Sequence, residues 1–522
     1  MLRKLLYLLI IAGFSYPVQI SAQSGGPLQE RISIFSQNAI SNIGASGDTL
    51  WVGPMLARNI GNSHDWFLPE QADSVNGGRG RMFSIDLAAD TVVVGLGYNA
   101  TLAGSSVQTG MGFYISVDGG TNWRYVEPPL DDPDESTIRY GGQDIGSTPI
   151  IVPQQSPPFN VTFRGDVIFT AAWASGIRRS TDFGQTWDRI LLPPFELDEL
   201  DPENEYDFFF DPRAPQQDSP NAGRYPLGWQ NFLGFSAMID SDGHVWAGTA
   251  GGINISDNAM SAPADSIRWR HVRASGTSTG MLGNWVIRIR ENPIDGNVWL
   301  TNWITGSGER QGLVSTTDKG LTFRQHLPGE RINDIGFNGS TIFAAGDSGL
   351  FISTDNGTTW IRQPQIRSAN AFLKPDPQFR SVASGVGRVW IGTSDGLIST
   401  TDNGETWGIT RVDFPFTGGN IYQDDAPSVK SYAYPNPFSL TQHNIVRLRF
   451  ETTQTGNFSV ELYDFGMNRI NTLHQPAIVE TGIYEVAWDG RDANGMRVAN
   501  GPVFYRIKTG GSEITGKFLM LD

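Results

Sequence analysis

Cysteine is absent from the 522 residues. That excludes disulfides, thiolate metal sites and a cysteine-anchored lipoprotein. A chain without disulfide staples must be held by its core, which suits a large repeat fold better than a small stapled one. Histidine is scarce: six are scattered along the chain with no metal-ligand spacing. Positive charge is in deficit, with 38 Lys and Arg against 54 Asp and Glu and a formal net charge of -16. An acidic surface argues against nucleic acid or anionic membrane as partners. Beyond the N-terminus no apolar run is long enough to span a bilayer, so no membrane span is expected after signal removal. No phosphate-binding glycine loop and no Ser–His–Asp spacing stands out.

What is present begins with a signal. Arg3 and Lys4 precede an apolar run from Leu5 to Phe14, and Ser21-Ala22-Gln23 offers a small-residue cleavage site. Residues 1–22 therefore read as a secretory signal peptide, and the chain as exported.

The rest is organised around a repeated turn. Ser180-x-Asp182-x-Gly184-x-Thr186-Trp187, Ser353-x-Asp355-x-Gly357-x-Thr359-Trp360 and Thr400-x-Asp402-x-Gly404-x-Thr406-Trp407 match one another. Asp118 with Trp123 lies in a nearly complete copy, Asp318 lies in one that ends in Phe323, and Ser256 to Trp269 is a copy split by an insertion. Each is preceded by a short β-branched and aromatic run. Seven such units centre near Trp51, Val93, Ile168, Trp246, Trp299, Phe343 and Trp390. In the first, Asp65-Trp66 is a remnant of the turn. Glycine at 61 positions and 11% aromatics point the same way, to all-β structure rich in turns.

Four-stranded units repeated in series cover one another when arranged radially. Residues 27–416 are expected to form a β-propeller of seven blades, with Arg31 to Ile43 supplying a strand that closes the ring. Two connections are oversized, 124–164 and 188–231. Residues 417–430 read as a linker. From 431 to 522 a new alternation, as in Val446, Leu448 and Phe450, predicts a small β-sandwich.

In the repeated turn the aspartate accepts backbone N–H groups, the Ser or Thr hydroxyl does likewise, and glycine takes the positive φ. Asp118, Asp182, Asp318, Asp355 and Asp402 thus read as structural, with Trp123, Trp187, Trp360 and Trp407 filling space against neighbouring strands.

Residues 112–123, 176–187, 312–323, 349–360 and 396–407 resemble the aspartate-box (BNR) repeats of sialidase-like propellers, and of photosystem-assembly-factor and sortilin types. The resemblance covers most of 45–410. It implies a propeller whose boxes lie on one face while blade-to-blade connections open on the other, and it fits enzymes and binding proteins alike. The Phe/Tyr-Arg-Ile-Pro motif of sialidases does not occur; Arg224-Tyr225-Pro226 is not a match. Oligoxyloglucan hydrolases carry such boxes on two propellers in tandem, which is longer than this chain. Tyr434-Pro435-Asn436-Pro437-Phe438, Gly482 to Asp492 and Val498 to Ile507 resemble the flagellar hook-capping-type immunoglobulin-like domain, close to type IX secretion C-terminal sorting domains. This second resemblance implies contact with secretion machinery and a secreted or outer-surface location in a Gram-negative-type bacterium. Pro502 departs from its pattern.

Both long connections are then expected on the face opposite the boxes. Trp173, Trp229, Trp285 and Trp303 are the candidate ligand-binding residues there, because aromatic rings on a polar rim suit sugar faces or protein side chains. The acidic run Glu196, Asp198, Glu199, Asp201, Glu203, Glu205 and Asp207 offers oxygen ligands for calcium, but lacks the glycine-punctuated spacing of a known loop. No metal or other cofactor is assigned, and a solvated loop is the expectation. Asp131, Asp132, Asp134 and Glu135 form a second acidic cluster. The resulting expectation is an exported, non-enzymatic propeller that binds a glycan or a protein. A glycoside hydrolase and an envelope assembly factor are the alternatives.

Overall fold

The computed structural model describes residues 38–61, 66–67, 80–368, 371–411, 429–474 and 480–522. The expected signal peptide, Asp65 and residues 417–428 of the expected linker lie outside them. No helix among the described residues is long and apolar enough to cross a membrane.

The described chain is built almost wholly of antiparallel strands in two compact units. The larger contains seven four-stranded sheets, each made of strands consecutive in sequence, except that the fourth carries an additional edge strand. Their first strands are Ile43–Ser46, Arg81–Ala88, Pro158–Arg164, Gly234–Ile239, Trp285–Glu291, Ile332–Asn338 and Phe379–Gly385. Each first strand touches the first strand of the next sheet, and the seventh touches the first. Sheets radiating from a closed ring of inner strands make a β-propeller.

Among the described residues no strand is exchanged to close this ring. Ile43 opens the inner strand of the first blade, and closure is by side-to-side contact of the first and seventh blades, with the Ile40 N–H donated to the Thr393 carbonyl at 2.8 Å. Residues 31–37 of the expected closing strand lie outside the described residues. Trp66 of the expected remnant turn opens the fourth strand of the first blade, paired with Asn59.

Antiparallel order fixes two ends. The repeated turns join third to fourth strands at one end of each blade, and inner strands begin at the other. The oversized connections are shorter than their sequence bounds, because Arg124–Val126 and Asp188–Ile190 are fourth strands and Pro158–Arg164 is an inner strand. Nor do they lie wholly on the inner-strand end. Tyr140, Ile145, Leu200, Phe208 and Phe210 share one buried cluster with Phe169 and Ile190 of the third blade and Trp269 of the fourth. The Gly141 N–H reaches the Asp265 carbonyl inside the split turn of the fourth blade, at the opposite end. Apolar side chains in these insertions have to be buried, and the wedge between two blades is where they fit.

Of the described residues, the smaller unit comprises 368, 371–374, 429–474 and 480–522. A three-stranded sheet (Ser431–Tyr434, Val446–Thr452, Gly482–Trp488) and a four-stranded sheet (Arg469–His474, Phe458–Tyr463, Gly501–Thr509, Ser512–Met520) enclose one core around Phe450, Val460, Trp488 and Ile507. Pro502 pairs with Leu519 one residue into its strand, a place where the missing N–H is tolerated.

Candidate functional site

The aspartates of the repeated turns are occupied by their own loops. In the sixth blade Ser353 Oγ donates to Asp355 Oδ1 at 2.9 Å, the Thr359 N–H donates to the same oxygen at 2.8 Å, and Thr359 Oγ1 donates to Oδ2 at 2.7 Å. Asp118, Asp182, Asp318 and Asp402 are held in the same way. In the split copy Asn258 replaces the aspartate and its Oδ1 accepts from Ser256 Oγ and the Arg268 N–H. The turn's tryptophan packs on the preceding blade: Trp123 on Trp51 at 5.5 Å, Trp187 on Phe113 at 5.1 Å, and Trp360 on Trp299 at 6.3 Å between ring centroids. Trp407 is half-buried in its own turn beside Gly404. These residues fasten blades.

The opposite end is built differently. In blades two to seven the inner strand carries one extra residue, a β-bulge, next to where it starts: Phe83, Phe159, Phe235, Ile287, Asn333 and Arg380. A bulge re-aims its side chain. The polar residue that follows crosses to the next blade. Ser84 Oγ donates to the Pro158 carbonyl, Asn160 Oδ1 accepts the Ala237 N–H, Ser236 Oγ donates to the Val286 carbonyl, and Asp334 Oδ2 accepts the Val382 N–H. The bulges therefore leave one set of side chains stitching the ring and turn another set to its mouth.

Phe159, Phe235 and Ile287 meet Trp173, Trp229 and Trp285 in one cluster at this end. Phe235 lies 5.1 Å from Trp285 and 5.5 Å from Trp173, and the two tryptophans meet edge-on at 6.3 Å. All three tryptophans are half-buried. Trp229 is held there by the short 3-10 turn Gly228–Phe232. Trp303 is not in the cluster but pairs directly with Trp285 across two strands. Its Nε1–H donates to the Ile332 carbonyl at 2.8 Å, and the Arg331 guanidinium lies 3.7 Å over its ring. Arg331 Nε is 3.6 Å from Asp347, which also accepts from Asn333 Nδ2 at 2.9 Å. Beyond it, burial pulls the Arg380 guanidinium below its ordinary value, against the opposing charge of Asp347. An aromatic wall from blades three to five thus runs into a polar, cation-rich stretch on blades six and seven.

The sequence reading named the four tryptophans and missed Phe159, Phe235, Arg331, Asp347 and Arg380. A signal existed: each bulge residue in blades two, three, four, six and seven precedes a Ser, Asn or Asp at the same repeat position.

Other carboxylates have structural partners. Asp86 accepts the N–H groups of Leu87 and Phe163, both at 2.9 Å, and burial pushes its pKa up. Asp334, with its side chain 1% exposed, accepts Ile335 and Val382 N–H groups and lies 3.3 Å from Arg290 Nε. Asp86 and Arg290 line a cavity of about 210 Å³ toward the end of the repeated turns. The acidic run is folded, and most of its carboxylates face solvent as expected. Glu199–Leu200 pairs with Trp269–Arg270, Glu196 accepts the Leu227 N–H at 2.7 Å, and Asp198 pairs with Arg273. Its carboxylates do not converge on a point. Among the described residues the ligand atoms that do converge belong to Asp240, Asp242 and His244, and there Lys319 Nζ sits 3.1 Å from Asp240 and 2.6 Å from Asp242. Asp131 of the second acidic cluster is buried against Arg178 and Arg189.

No protein-family model and no curated protein matches the chain. Solved structures do. PorZ, a surface component of the type-IX secretion system of Porphyromonas gingivalis, is 12% identical over 93% of this chain and 75% of its own, with a TM-score of 0.34. YCF48 from Cyanidioschyzon merolae is 17% identical over 73% of this chain and 98% of its own, at 0.41. The GH74 enzyme of Niastella koreensis is 12% identical over 94% of this chain and 74% of its own, at 0.45. The propeller assignment rests on the sheet order and ring contacts described above.

Proposed function

We propose that this chain is an exported, non-enzymatic binding propeller whose ligand docks on the aromatic wall at the mouth where the inner strands begin. The observation that carries this reading is the convergence of half-buried Trp173 and Trp285, from blades three and five, on buried Phe235 of blade four. Half-buried rings lose little on binding and bring a large apolar area to it. The aspartates of the repeated turns are spent on their own loops, and Asp347 beside the wall is tied to Asn333 and Arg331. That arrangement favours binding over acid–base hydrolysis, which calls for two carboxylates facing a substrate. On this reading the signal-like N-terminus directs export, and the C-terminal sandwich, with its likeness to sorting domains, engages the secretion machinery at the cell surface.

The test probes purified full-length chain against a glycan array and against immobilised surface proteins, with a Trp173→Ala/Trp285→Ala variant of unchanged thermal unfolding alongside. Binding is expected to disappear in the variant. Hydrolysis of a glycan by the wild-type chain, abolished by changing one carboxylate at this mouth, overturns the proposal.

A further inference from the structure

We infer that the ligand of the aromatic mouth is a polypeptide segment in which an acidic group stands beside an aromatic or branched apolar side chain. This rests on the mouth being the binding site, as proposed above.

The apolar half argues for a side chain over a sugar. Trp173, Phe235 and Trp285 touch one another with interplanar angles of 46° to 74°. No one ring stands alone as a flat platform for a pyranose; together they form a faceted apolar surface that fits the uneven shape of a Leu, Ile or Phe. Sugars also demand several free donors and acceptors. Here the Asn333 amide nitrogen is committed to Asp347 and to the Phe379 carbonyl, and the Trp303 indole N–H to the Ile332 carbonyl. Displacing these bonds would leave partners unsatisfied.

The polar half argues for an anion. Arg331, Arg362 and Arg380 stand around two carboxylates, Glu330 and Asp347, which leaves one positive charge in excess on a chain of net charge -16. Arg331 is pre-positioned. Its guanidinium carbon lies over the Trp303 ring at 3.7 Å, its Nε is loosely paired at 3.6 Å, and among the described residues its two terminal nitrogens have no partner. A planar fork fixed in this way matches a carboxylate with two parallel N–H donors. Because Trp303 pairs across the sheet with Trp285, the fork adjoins the apolar surface. Anchor and counter-charge are thus close enough to be met by neighbouring residues of one extended peptide.

Panning a phage-displayed random dodecapeptide library on the immobilised full-length chain tests this. The enriched sequences are expected to place Asp or Glu within a few positions of an aromatic or branched apolar residue. A synthetic peptide of that sequence should lose about tenfold in affinity when its acid becomes the amide, and about as much against Arg331→Gln/Arg380→Gln. Both arginines are at least partly exposed, so unchanged thermal unfolding is the control for the variant; Arg331→Lys should recover part of the loss by restoring charge without the fork. Neutral or basic winners, indifferent to the arginine changes but lost with Trp173→Ala/Trp285→Ala, overturn the peptide chemistry and leave the mouth standing. An empty selection, with an array glycan bound in a Trp285-dependent way, does the same. Winners whose binding ignores the tryptophan changes overturn the mouth itself.

Discussion

Asp131 and Arg178 meet at 2.6 Å with each side chain only 3% exposed. Arg189 approaches the other carboxylate oxygen at 3.0 Å, and the Ile150 N–H donates to that oxygen at 2.6 Å. One carboxylate therefore holds two buried guanidiniums, and it ties the connection between blades two and three onto the third blade. Burial pulls the Arg189 guanidinium down to about 10 even so. Asp131→Ala removes the main charge that compensates two, and a loss of about 3–5 kcal/mol is expected. Urea unfolding measures it. Early proteolytic nicking within residues 127–157 should accompany it.

Acid should weaken the propeller in two separate windows. His326 donates from Nδ1 to the Gly357 carbonyl, and its Nε2 accepts the Ser315 hydroxyl, both at 2.9 Å. The neutral ring is thus fully bonded, and burial lowers its pKa from 6.5 to about 4. The unfolded chain takes this proton first, so stability present above about 6.5 is lost as the pH falls toward 4. The turn aspartates follow. Main-chain N–H groups of Asn122 and Thr359 lead in holding Asp118 and Asp355 near 2, as the Thr406 hydroxyl does for Asp402. For Asp182 and Asp318 slight burial opposes the shift, and the donors of the turn outweigh it. Their contribution is complete above 3.8 and is lost as the pH falls through about 2. A urea midpoint followed against pH should show both declines. Buried His271, lowered from 6.5 to about 4 as well, adds to the first decline, so His326→Gln should shrink the first and leave the second.

The repeated turn was legible because each of its residues answers a local demand: an acceptor at Asp355, a hydroxyl at Ser353, a positive φ at Gly357. The mouth was only half legible. Large aromatics at Trp173 and Trp285 announce themselves, but a bulge adds one residue to a strand without a composition of its own, so Phe159 and Phe235 read as ordinary strand positions. The insertions misled for another reason. Their length suggested a rim, whereas the apolar content carried by Tyr140, Leu200 and Phe210 directs them between blades, and nothing local to Asp131 announces Arg178 and Arg189, which come from strands far along the chain.

Lys319 occupies the point where three metal-ligand side chains converge. Its ammonium bridges Asp240 and Asp242, and Asp240, fully buried, also accepts Trp246 Nε1–H at 2.9 Å and the His244 N–H at 2.8 Å. Lys319→Ala should leave two carboxylates and an imidazole whose ligand atoms lie within 4.8 Å of one another. Oxygen and imidazole donors at that spacing suit zinc. The wild-type chain should show no change in melting temperature with zinc at this site. The variant should be less stable without metal and regain stability as zinc is added, and calorimetry that detects no binding to the variant contradicts this.

Gly357 has two reasons to be glycine, and a paired substitution separates them. Its φ is +76°, and a Cβ there would lie 2.7 Å from the ring of Trp299 and 2.8 Å from that of His326, both packed side chains of the preceding blade. Gly339 has a φ of +59° and nothing within 4 Å of its Cβ position. Alanine at Gly339 should cost about 1 kcal/mol for the left-handed backbone alone. Alanine at Gly357 adds overpacking, about 1–3 kcal/mol more, because rings stacked at 4.7 Å have little room to give. The difference between the two variants in thermal or urea unfolding measures how tightly the turn of one blade is pressed onto the next. Equal losses at the two positions would mean that the contact yields, and that the turn stabilises its own hairpin without fastening neighbouring blades.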